Sequence, residues 1–313
     1  MSTSSRTNAS ICLFGPTGVG KTRFLAEDLP PGFEVVSVDS IQIYRGLDIG
    51  SAKPTLADRA QIPHHLIDIC NPDEAFDVGD FVSAAAVAVD DIQARGRVPV
   101  LSGGTAFYFH NYLLGLPETP VSDPEVRQAA KAKWDDEGEV RFRRSLAAVD
   151  PTSEARILPR DAYRLQRAWE VWVQTGRPLS SMGRTPVDRG PVFLAGLDRP
   201  RDELYGRIEA RVDAMVEAGL EDEVRGLVAA GYGVGTPALK GIGYSEWLPF
   251  VMTGEASRQA VRDQIVLDSR HYAKRQLTFF RSLPGVRWYH PDQSAQLQDD
   301  LRAWSLTNLP GWW

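Results

Sequence analysis

The feature that most constrains this chain is a phosphate-binding motif near its start. The segment Gly15–Thr22 reads GPTGVGKT and matches GxxxxGK[ST] at every fixed position, directly after the apolar run Ile11–Phe14. Its glycines let successive N–H groups turn towards one anion, Lys21 adds a positive charge, and the Thr22 hydroxyl can hold a magnesium ion. The motif predicts a strand, a loop and a helix that bind a diphosphate or a nucleotide through Gly15, Pro16, Thr17, Gly18, Val19, Gly20, Lys21 and Thr22.

Short apolar runs alternate with helical segments on either side of a purely helical stretch. The stretch begins near Glu125, is rich in Arg and Trp, and gives way to a strand pattern again at Val192–Leu197. The alternation predicts an α/β fold whose core is a parallel sheet of the P-loop NTPase type. We expect a disordered tail at 1–10, a catalytic core at 11–119 and 190–313, and a helical insertion at 120–189. Strands are predicted at Ile11–Phe14, Val35–Val38, Leu66–Ile69 and Arg97–Leu101, and helices at Lys21–Asp28 and Phe81–Ala94.

Composition excludes several classes of protein. The longest apolar candidate, Phe81–Val89, is far shorter than the roughly 20 residues that a membrane helix needs, and the polar start does not resemble a secretory leader. We therefore expect a cytoplasmic protein. The formal charge of -6 argues against a surface that binds nucleic acid everywhere, but it allows a local basic channel. The two cysteines do not have zinc-site spacing.

Two further strand ends carry polar side chains. Asp39 follows Val35–Val38, and Thr105 follows the strand pattern and the glycine pair at 103–104. Carboxyl ends of parallel strands share one edge of a sheet, where Asp39 could hold magnesium, accept a proton or merely cap a helix. The later strand ends without an acid and we find no second acidic strand end, which argues against a motor or switch ATPase. The motif itself still allows ATPases, GTPases, small-molecule kinases and transferases that release diphosphate.

Eight longer blocks run through nearly the whole chain, which are GPTGVGKT at 15–22, SVDSIQIYRGLDIGSAKP at 37–54, HHLIDICNPDE at 64–74, VPVLSGGTAFYF at 98–109, SDPEVR at 122–127, DAYRLQRAWE at 161–170, GIGYSE at 241–246 and AKRQLTFFR at 273–281. With these blocks, in this order, the chain resembles the tRNA dimethylallyltransferases, also called tRNA isopentenyltransferases, of the bacterial type. The chain departs from residues that are common in that family at Lys240 and Gly241, within Leu-Lys-Gly-Ile at 239–242, and at Phe279.

The resemblance implies a reaction. A dimethylallyl group would pass from dimethylallyl diphosphate to the exocyclic N6 amine of the adenosine next to the anticodon, on its 3′ side, in tRNA. The phosphate loop would then hold the leaving diphosphate together with Mg2+, and the partner would be the tRNA anticodon stem-loop, bound by a monomer. Two alternatives remain open, which are a P-loop small-molecule kinase and a transferase acting on free adenine nucleotides.

The resemblance also implies roles for particular residues. Asp39 would be the general base for the amine, Thr105 would position the reacting groups, and Arg127 would lie at the reaction centre near the diphosphate. Thr22 would hold the metal. The insertion would bind tRNA, and the implied tRNA contacts are Asp39, Ser40, Ile41, Gln42, Thr105, Arg127, Tyr163, Arg164, Leu165, Gln166, Arg167, Lys240, Gly241, Ile242, Gly243, Tyr244, Ser245, Arg275, Gln276 and Arg281.

A local basic surface accords with RNA binding. Residues 156–189 contain seven Arg against three acidic residues. Arg160, Arg164 and Arg167 have the spacing of one helix face, and the apolar residues Leu165, Ala168, Trp169 and Trp172 form the opposite face. Most such charge runs are only solvated helix faces. Their position inside matching family blocks is what makes them candidates for tRNA contacts.

Overall fold

The centre of the protein is a six-stranded parallel sheet. The computed structural model describes residues 8–312. The strands are β1 Ser10–Phe14, β2 Phe33–Val38, β3 His64–His65, β4 Val98–Gly103, β5 Val192–Leu197 and β6 Arg287–Tyr289. Their order in the sheet is β3-β2-β4-β1-β5-β6, and every neighbouring pair is parallel. The central strands β1, β4 and β5 consist mostly of apolar residues, as expected for a parallel sheet covered on both faces.

Helices account for most of the remaining chain. Short 3-10 turns lie at Leu179–Ser181, Pro237–Lys240 and Pro291–Gln293. None of the helices among the described residues combines the length and the apolar character needed to cross a membrane. The helices are α1 Lys21–Glu27, α2 Leu56–Gln61, α3 Val78–Ala94, α4 Ala106–Leu114, α5 Pro124–Val149, α6 Pro151–Arg156, α7 Ala162–Thr175, α8 Arg201–Glu217, α9 Leu220–Ala229, α10 Tyr244–Thr253, α11 Arg258–Phe280 and α12 Ser294–Asn308.

The register of the sheet aligns the ends of its central strands. Phe14 pairs with Gly103 of β4 on one side and with Gly196 of β5 on the other, and Val38 of β2 pairs with the same Gly103. The segments that follow β1, β2, β4 and β5 therefore leave the sheet at one edge. This is the edge at which open α/β sheets bind their ligands.

The chain divides into two compact units. The first runs to Leu113 and resumes at Asp188, and the second is Leu114–Val187. The first contains the whole sheet. The second is helical and has a core of its own, formed by Phe142, Leu146, Leu165 and Ala168.

The predicted fold class is confirmed, with local corrections. The strand predicted at Leu66–Ile69 is wrong, because β3 is only His64–His65 and the backbone of Leu66 and Asp68 takes positive φ angles of 60° and 56°. Such angles end an extended strand. The predicted tail is also too long, since Ala9 is buried and Ser10 begins β1. Residues 1–7 lie outside the described part of the chain.

The close approach of β2 and β4 gives a test of the sheet. A Cβ atom built on Gly103 would collide with the backbone carbonyl of Val38, whereas a Cβ on Gly206, inside α8, would meet nothing within 4 Å. We expect Gly103→Ala to lower the free energy of unfolding by about 2 kcal/mol or more, because backbone must shift. We expect Gly206→Ala to raise it by up to about 1 kcal/mol, as a helix-interior glycine is replaced. Urea denaturation measures both, and equal midpoints for the two variants would contradict the predicted packing.

Candidate active site

The phosphate loop joins β1 to α1. Gly15, Gly18 and Gly20 have positive φ angles of 156°, 77° and 114°, which side chains of L residues rarely adopt. Gly15 is also fixed by a close approach, because a Cβ there would lie 2.5 Å from the carbonyl oxygen of Leu197. The loop therefore needs glycine at all three positions.

Side chains from distant parts of the chain hold the loop carbonyls. Arg207 Nε donates to the carbonyl of Gly18 at 2.7 Å, and Arg199 Nε donates to that of Val19 at 2.9 Å. The Thr17 N–H donates to Gln276 Oε1 at 3.0 Å. Because arginines engage the carbonyls, the loop backbone is braced in one conformation, as a preorganised anion site requires.

Lys21 lies in an unusual electrostatic environment. Its Nζ contacts the carbonyl oxygens of Gly15 at 2.9 Å and Pro16 at 3.1 Å. Burial and the positive charge of Arg211 lower the pKa of Lys21 to about 7, although the negative charge of Asp39 acts in the opposite direction. Burial likewise lowers the pKa of Arg211, again against the effect of Asp39. Two basic groups and one carboxylate thus lie near one another in the crevice at this edge of the sheet, and the excess of basic groups favours a bound anion.

Asp39 follows β2 and is held by the backbone after it. Its Oδ1 accepts the N–H groups of Ile41 at 2.8 Å and Gln42 at 3.2 Å. Among the described residues, no hydrogen bond to its Oδ2 is found. The side chain is only partly buried. The carboxylate is therefore oriented through one oxygen, while the other can take up a proton from a bound group.

Thr105 and α11 complete the crevice. The Ser40 N–H donates to Thr105 Oγ1 at 3.1 Å, which ties the segment after β2 to the start of α4. Tyr272 lies next to Thr105 and Gln276, and burial together with the charge of Asp39 raises the pKa of Tyr272 to about 12. At neutral pH the phenol is therefore protonated and can donate a hydrogen bond.

Two segments predicted to contact tRNA lie together. A Cβ on Gly241 would meet Ile41 Cδ1 at 2.7 Å, so the segment 40–42 packs on 240–245. Lys240 and Ser245 are exposed there. Tyr244 requires a correction, because its side chain is buried and its hydroxyl donates to Glu223 at 2.7 Å. It shapes the segment from inside and offers no side-chain surface to RNA.

The predicted contacts on α11 have different surroundings. Arg275 is exposed beside the ring of Tyr272, and Arg281 is exposed but pairs with Asp198 at 2.7 Å. Gln276 requires a correction, because it is buried and its Nε2 donates to the carbonyl of Gly104 at 2.6 Å. With Oε1 bound to Thr17, both ends of this amide serve the loops of the crevice and neither is left to bind RNA.

The insertion contains the remaining predicted contacts. Tyr163 and Arg164 are exposed, but Leu165 requires a correction because it is buried in the core of the unit. The predicted arginine stripe is also wrong, since Arg160 precedes α7 and has a positive φ of 68°. Arg167 points inwards to Glu170 at 3.1 Å and to the carbonyl of Pro120 at 2.6 Å.

Two further predicted site residues lie in the insertion, namely Arg127, expected at the reaction centre, and Gln166, expected to contact tRNA. Arg127 lies in the first turn of α5 and is exposed, and its Nε donates to Ser122 Oγ at 3.2 Å. That hydroxyl donates to the buried Glu170 at 2.6 Å. The role of Arg127 at a reaction centre and that of Gln166 in RNA binding stay predictions.

Three residues of the crevice escaped the sequence analysis. Arg211 and Tyr272 lie within the helices α8 and α11, and no local motif marks them. Asp198 is different, because it directly follows β5 and could have been found from the strand pattern at Val192–Leu197. The statement that no second acidic strand end exists is therefore wrong. Asp198 pairs with Arg281, as described, and its Oδ1 accepts the N–H of Arg199 at 2.8 Å.

The donor set for a magnesium ion is small. No group of three or more His, Cys, Asp or Glu side chains that could hold a metal occurs among residues 8–312. Thr22, the predicted ligand, is exposed at the start of α1. Magnesium commonly takes one or two protein ligands and completes its shell with water and substrate phosphates. The residues present fit an ion held in that way, and they do not fit a dedicated protein cage.

Comparisons with known proteins agree in one family. The family model described as IPP transferase matches residues 42–283. The tRNA dimethylallyltransferase 1 of Citrifermentans bemidjiense is 43% identical over 284 residues, which covers 89% of this chain and 90% of that protein. The tRNA dimethylallyltransferase of Levilactobacillus brevis is 44% identical over 303 residues and covers 94% and 97%. The crystal structure of the tRNA isopentenylpyrophosphate transferase from Bacillus halodurans is 34% identical, with a TM-score of 0.67, and covers 95% and 96%.

Proposed function

The chain belongs to the IPP transferase family, and from that premise we propose that it is the enzyme that moves a dimethylallyl group from dimethylallyl diphosphate to tRNA. The acceptor is the N6 amine of the adenosine on the 3′ side of the anticodon, and diphosphate is released. The observation that carries the proposal is the crevice in which the braced phosphate loop, Lys21 and Arg211 face the carboxylate of Asp39.

The arrangement suits an allylic displacement. The loop, Lys21 and Arg211 bind the diphosphate and stabilise the charge that develops as it leaves. The N6–C1 bond forms as the C1–O bond breaks, and the electron pair of the broken bond leaves with the diphosphate. Asp39 accepts the amine proton through its free oxygen. When bound at Thr22, magnesium would neutralise part of the diphosphate charge.

The acceptor base must leave the stacked RNA to reach Asp39. Single-stranded loops allow this at low cost, since their bases are already partly unstacked. The exposed Lys240 and Arg275, at the segments that flank the crevice, supply positive charge for the RNA backbone. The expectations of a cytoplasmic location and a monomer stay predictions, and size-exclusion chromatography tests the second.

One assay separates the proposed function from its alternatives. The protein is incubated with dimethylallyl diphosphate, magnesium and unmodified tRNA, with AMP and ATP as parallel acceptors. Prenyl transfer to tRNA supports the proposal. Transfer to AMP or ATP but not to tRNA would indicate an enzyme of free nucleotides. ATP-dependent phosphorylation of a metabolite without prenyl transfer would indicate a kinase.

The low pKa of Lys21 predicts that diphosphate binding takes up a proton. Above pH 7 the free amine is mostly neutral, whereas a bound anion favours the charged form. Affinity should therefore fall as pH rises above 7, by up to about tenfold per unit. Titration calorimetry with dimethylallyl thiodiphosphate at pH 8, in two buffers of different ionisation enthalpy, measures the uptake. The same titration of Lys21→Met gives the proton uptake that comes from the ligand and from groups other than Lys21. Equal proton uptake by wild type and Lys21→Met would contradict the assignment of the proton to Lys21.

Arg164 and Arg167 should behave differently despite their spacing. Arg164→Ala removes an exposed charge, so it should weaken tRNA binding and reduce the slope of log affinity against log salt by about one. Arg167→Ala instead leaves the buried Glu170 without its cation and should lower the free energy of unfolding by about 1–3 kcal/mol. Filter binding at several salt concentrations and thermal unfolding check both variants. A salt slope unchanged in Arg164→Ala would remove it as an RNA contact.

A further inference from the structure

Helix α9 carries Glu223, whose carboxylate accepts hydrogen bonds from two separate segments of the chain. Its Oε2 accepts the N–H groups of Asp48 at 2.9 Å and Ile49 at 2.8 Å. Its Oε1 accepts the N–H of Gly50 at 3.2 Å and the hydroxyl of Tyr244 at 2.7 Å. Four donors therefore converge on one carboxylate, and the reaction described above gives that carboxylate no part.

The two segments that Glu223 joins also pack on each other. A Cβ atom built on Gly50 would lie 2.6 Å from Cζ of Tyr244, so the loop at 48–52 lies directly against that ring. Burial and the charge of Glu223 raise the pKa of Tyr244, so its phenol is protonated at neutral pH and donates to the carboxylate. Glu223 is thus the common partner of the loop at 48–52 and of the segment 240–245.

Gln42 connects this loop to Asp39. Its Nε2 donates to the carbonyl oxygens of Ser51 at 3.2 Å and Ala52 at 3.3 Å, and its Oε1 accepts the Ser37 hydroxyl at 3.0 Å. Its backbone N–H is one of the two that donate to Oδ1 of Asp39. The position of the loop therefore determines where Gln42 lies, and with it the direction of the carboxylate.

The loop depends on Glu223 because three consecutive N–H groups, those of residues 48–50, are directed at it. Among residues 8–312 no other side chain that accepts these N–H groups is found. The cation of the loop does not replace this contact, since Lys53 Nζ donates to the carbonyl of Tyr44 at 2.7 Å and pairs with Asp48 at 2.6 Å. Loss of the carboxylate leaves three donors without a protein partner, and the loop must shift to satisfy them.

We propose, on the basis of the function proposed above, that Glu223 is a positioning residue for the transfer to tRNA. It holds the loop at 48–52, the loop holds Gln42, and Gln42 helps to orient the carboxylate of Asp39 that takes the amine proton. A displacement of about 1 Å at a reacting group can lower a rate by about 10²-fold. Glu223 therefore affects the chemical step through Asp39, and it leaves the phosphate loop to its own braces.

Glu223→Gln tests the assignment with a side chain of the same shape. Its amide oxygen still accepts N–H groups, but its NH2 group faces donors on the other side of the cluster. We expect the single-turnover rate, with saturating tRNA and dimethylallyl diphosphate, to fall about 10–100-fold. Affinity for inorganic diphosphate, measured by titration calorimetry, should stay unchanged. A single-turnover rate equal to that of wild type would overturn the assignment.

Glu221→Gln is the matched control, because Glu221 is a buried glutamate on the same helix. Its carboxylate pairs with Arg225 and Arg258 at 2.7 Å each, and these ion pairs lead away from the loop at 48–52. Its loss should lower the melting temperature and leave the single-turnover rate within about threefold of wild type. Equal loss of rate in both variants would mean that any weakening of α9 has the same effect, and the specific role of Glu223 would fall.

A double-mutant cycle distinguishes the positioning of Asp39 from a general loss of structure. In the Asp39→Asn background no base is left to be misplaced, so Glu223→Gln should lower the remaining rate by less than about threefold. If Glu223→Gln lowers the rate by the same factor in both backgrounds, it does not act through Asp39 and the proposal is wrong.

Amide hydrogen exchange tests the positioning without the reaction. The N–H groups of residues 48–50, and those of Ile41 and Gln42, should exchange at least about tenfold faster in Glu223→Gln than in wild type. Glu221→Gln should leave these groups as protected as they are in wild type. Unchanged exchange in Glu223→Gln would overturn the assignment. If wild type transfers no prenyl group, the proposed function fails, and the exchange rates still decide whether Glu223 holds the groups that orient Asp39.

Discussion

Asp39→Asn should lower kcat for prenyl transfer to tRNA by about 10²–10⁴-fold, the usual contribution of a general base. Asparagine has the same shape, and its oxygen can still accept the N–H groups of Ile41 and Gln42, so the loop after β2 should keep its conformation. What the variant lacks is a group that takes the amine proton. Single-turnover kinetics with saturating tRNA measure the chemical step directly.

The control for Asp39→Asn is its unchanged affinity for tRNA and its unchanged melting temperature. Asp39→Ala should lose most turnover as well and should still bind tRNA. Turnover within a few-fold of wild type in the asparagine variant would remove Asp39 as the base. A loss confined to tRNA affinity would instead place it among the RNA contacts.

Lys21→Met should lower kcat/KM for dimethylallyl diphosphate by about 10²–10³-fold, the loss typical of removing one donor from a developing oxyanion. Methionine keeps most of the length of the side chain without its charge. The ammonium lies against the loop carbonyls and near the charge of Arg211, and the single carboxylate of Asp39 offsets these two basic groups only in part, so a bound anion adds the compensation that is missing. The effect should therefore appear with the donor substrate.

A second measurement limits the interpretation of Lys21→Met. The variant should bind the tRNA anticodon stem-loop as wild type does, because Lys21 belongs to the loop and not to the exposed RNA segments. Equal losses for both substrates would show a damaged fold. An unchanged kcat/KM for the donor would mean that the loop does not hold the leaving diphosphate.

The sequence predicted those parts of the site that depend on neighbours along the chain. The loop at Gly15–Thr22 and the strand end at Asp39 depend on local backbone geometry, which a short stretch of sequence is enough to predict. Arg211 and Tyr272 reach the crevice only through the packing of α8 and α11 on the sheet. Helical spacing predicts which face of such a helix is buried, but it does not predict which polar residue meets a loop far away in sequence.

The errors have the same origin. Gln276 and Tyr244 lie in blocks that the resemblance associates with RNA, yet their polar atoms are used by Gly104, Thr17 and Glu223. A short block of sequence does not show whether a side chain is buried in a tertiary contact or exposed to solvent. The strand prediction at Leu66–Ile69 was wrong for a related reason. Apolar residues indicated a strand there, but the backbone turns at Leu66 and Asp68, and Asp68 pairs with the distant Lys53.

The braces of the phosphate loop determine when during synthesis the enzyme can become active. β1 is made first, but one of its two neighbours, β5, is made only after the insertion, so one edge of β1 stays unpaired on the ribosome until then. Gly15 packs on the carbonyl of Leu197, and Arg199 and Arg207 hold the loop from the same late segment. A nascent chain that has just completed its insertion therefore contains the whole motif and no working cradle, and it cannot capture substrate before the second half of its core has been translated.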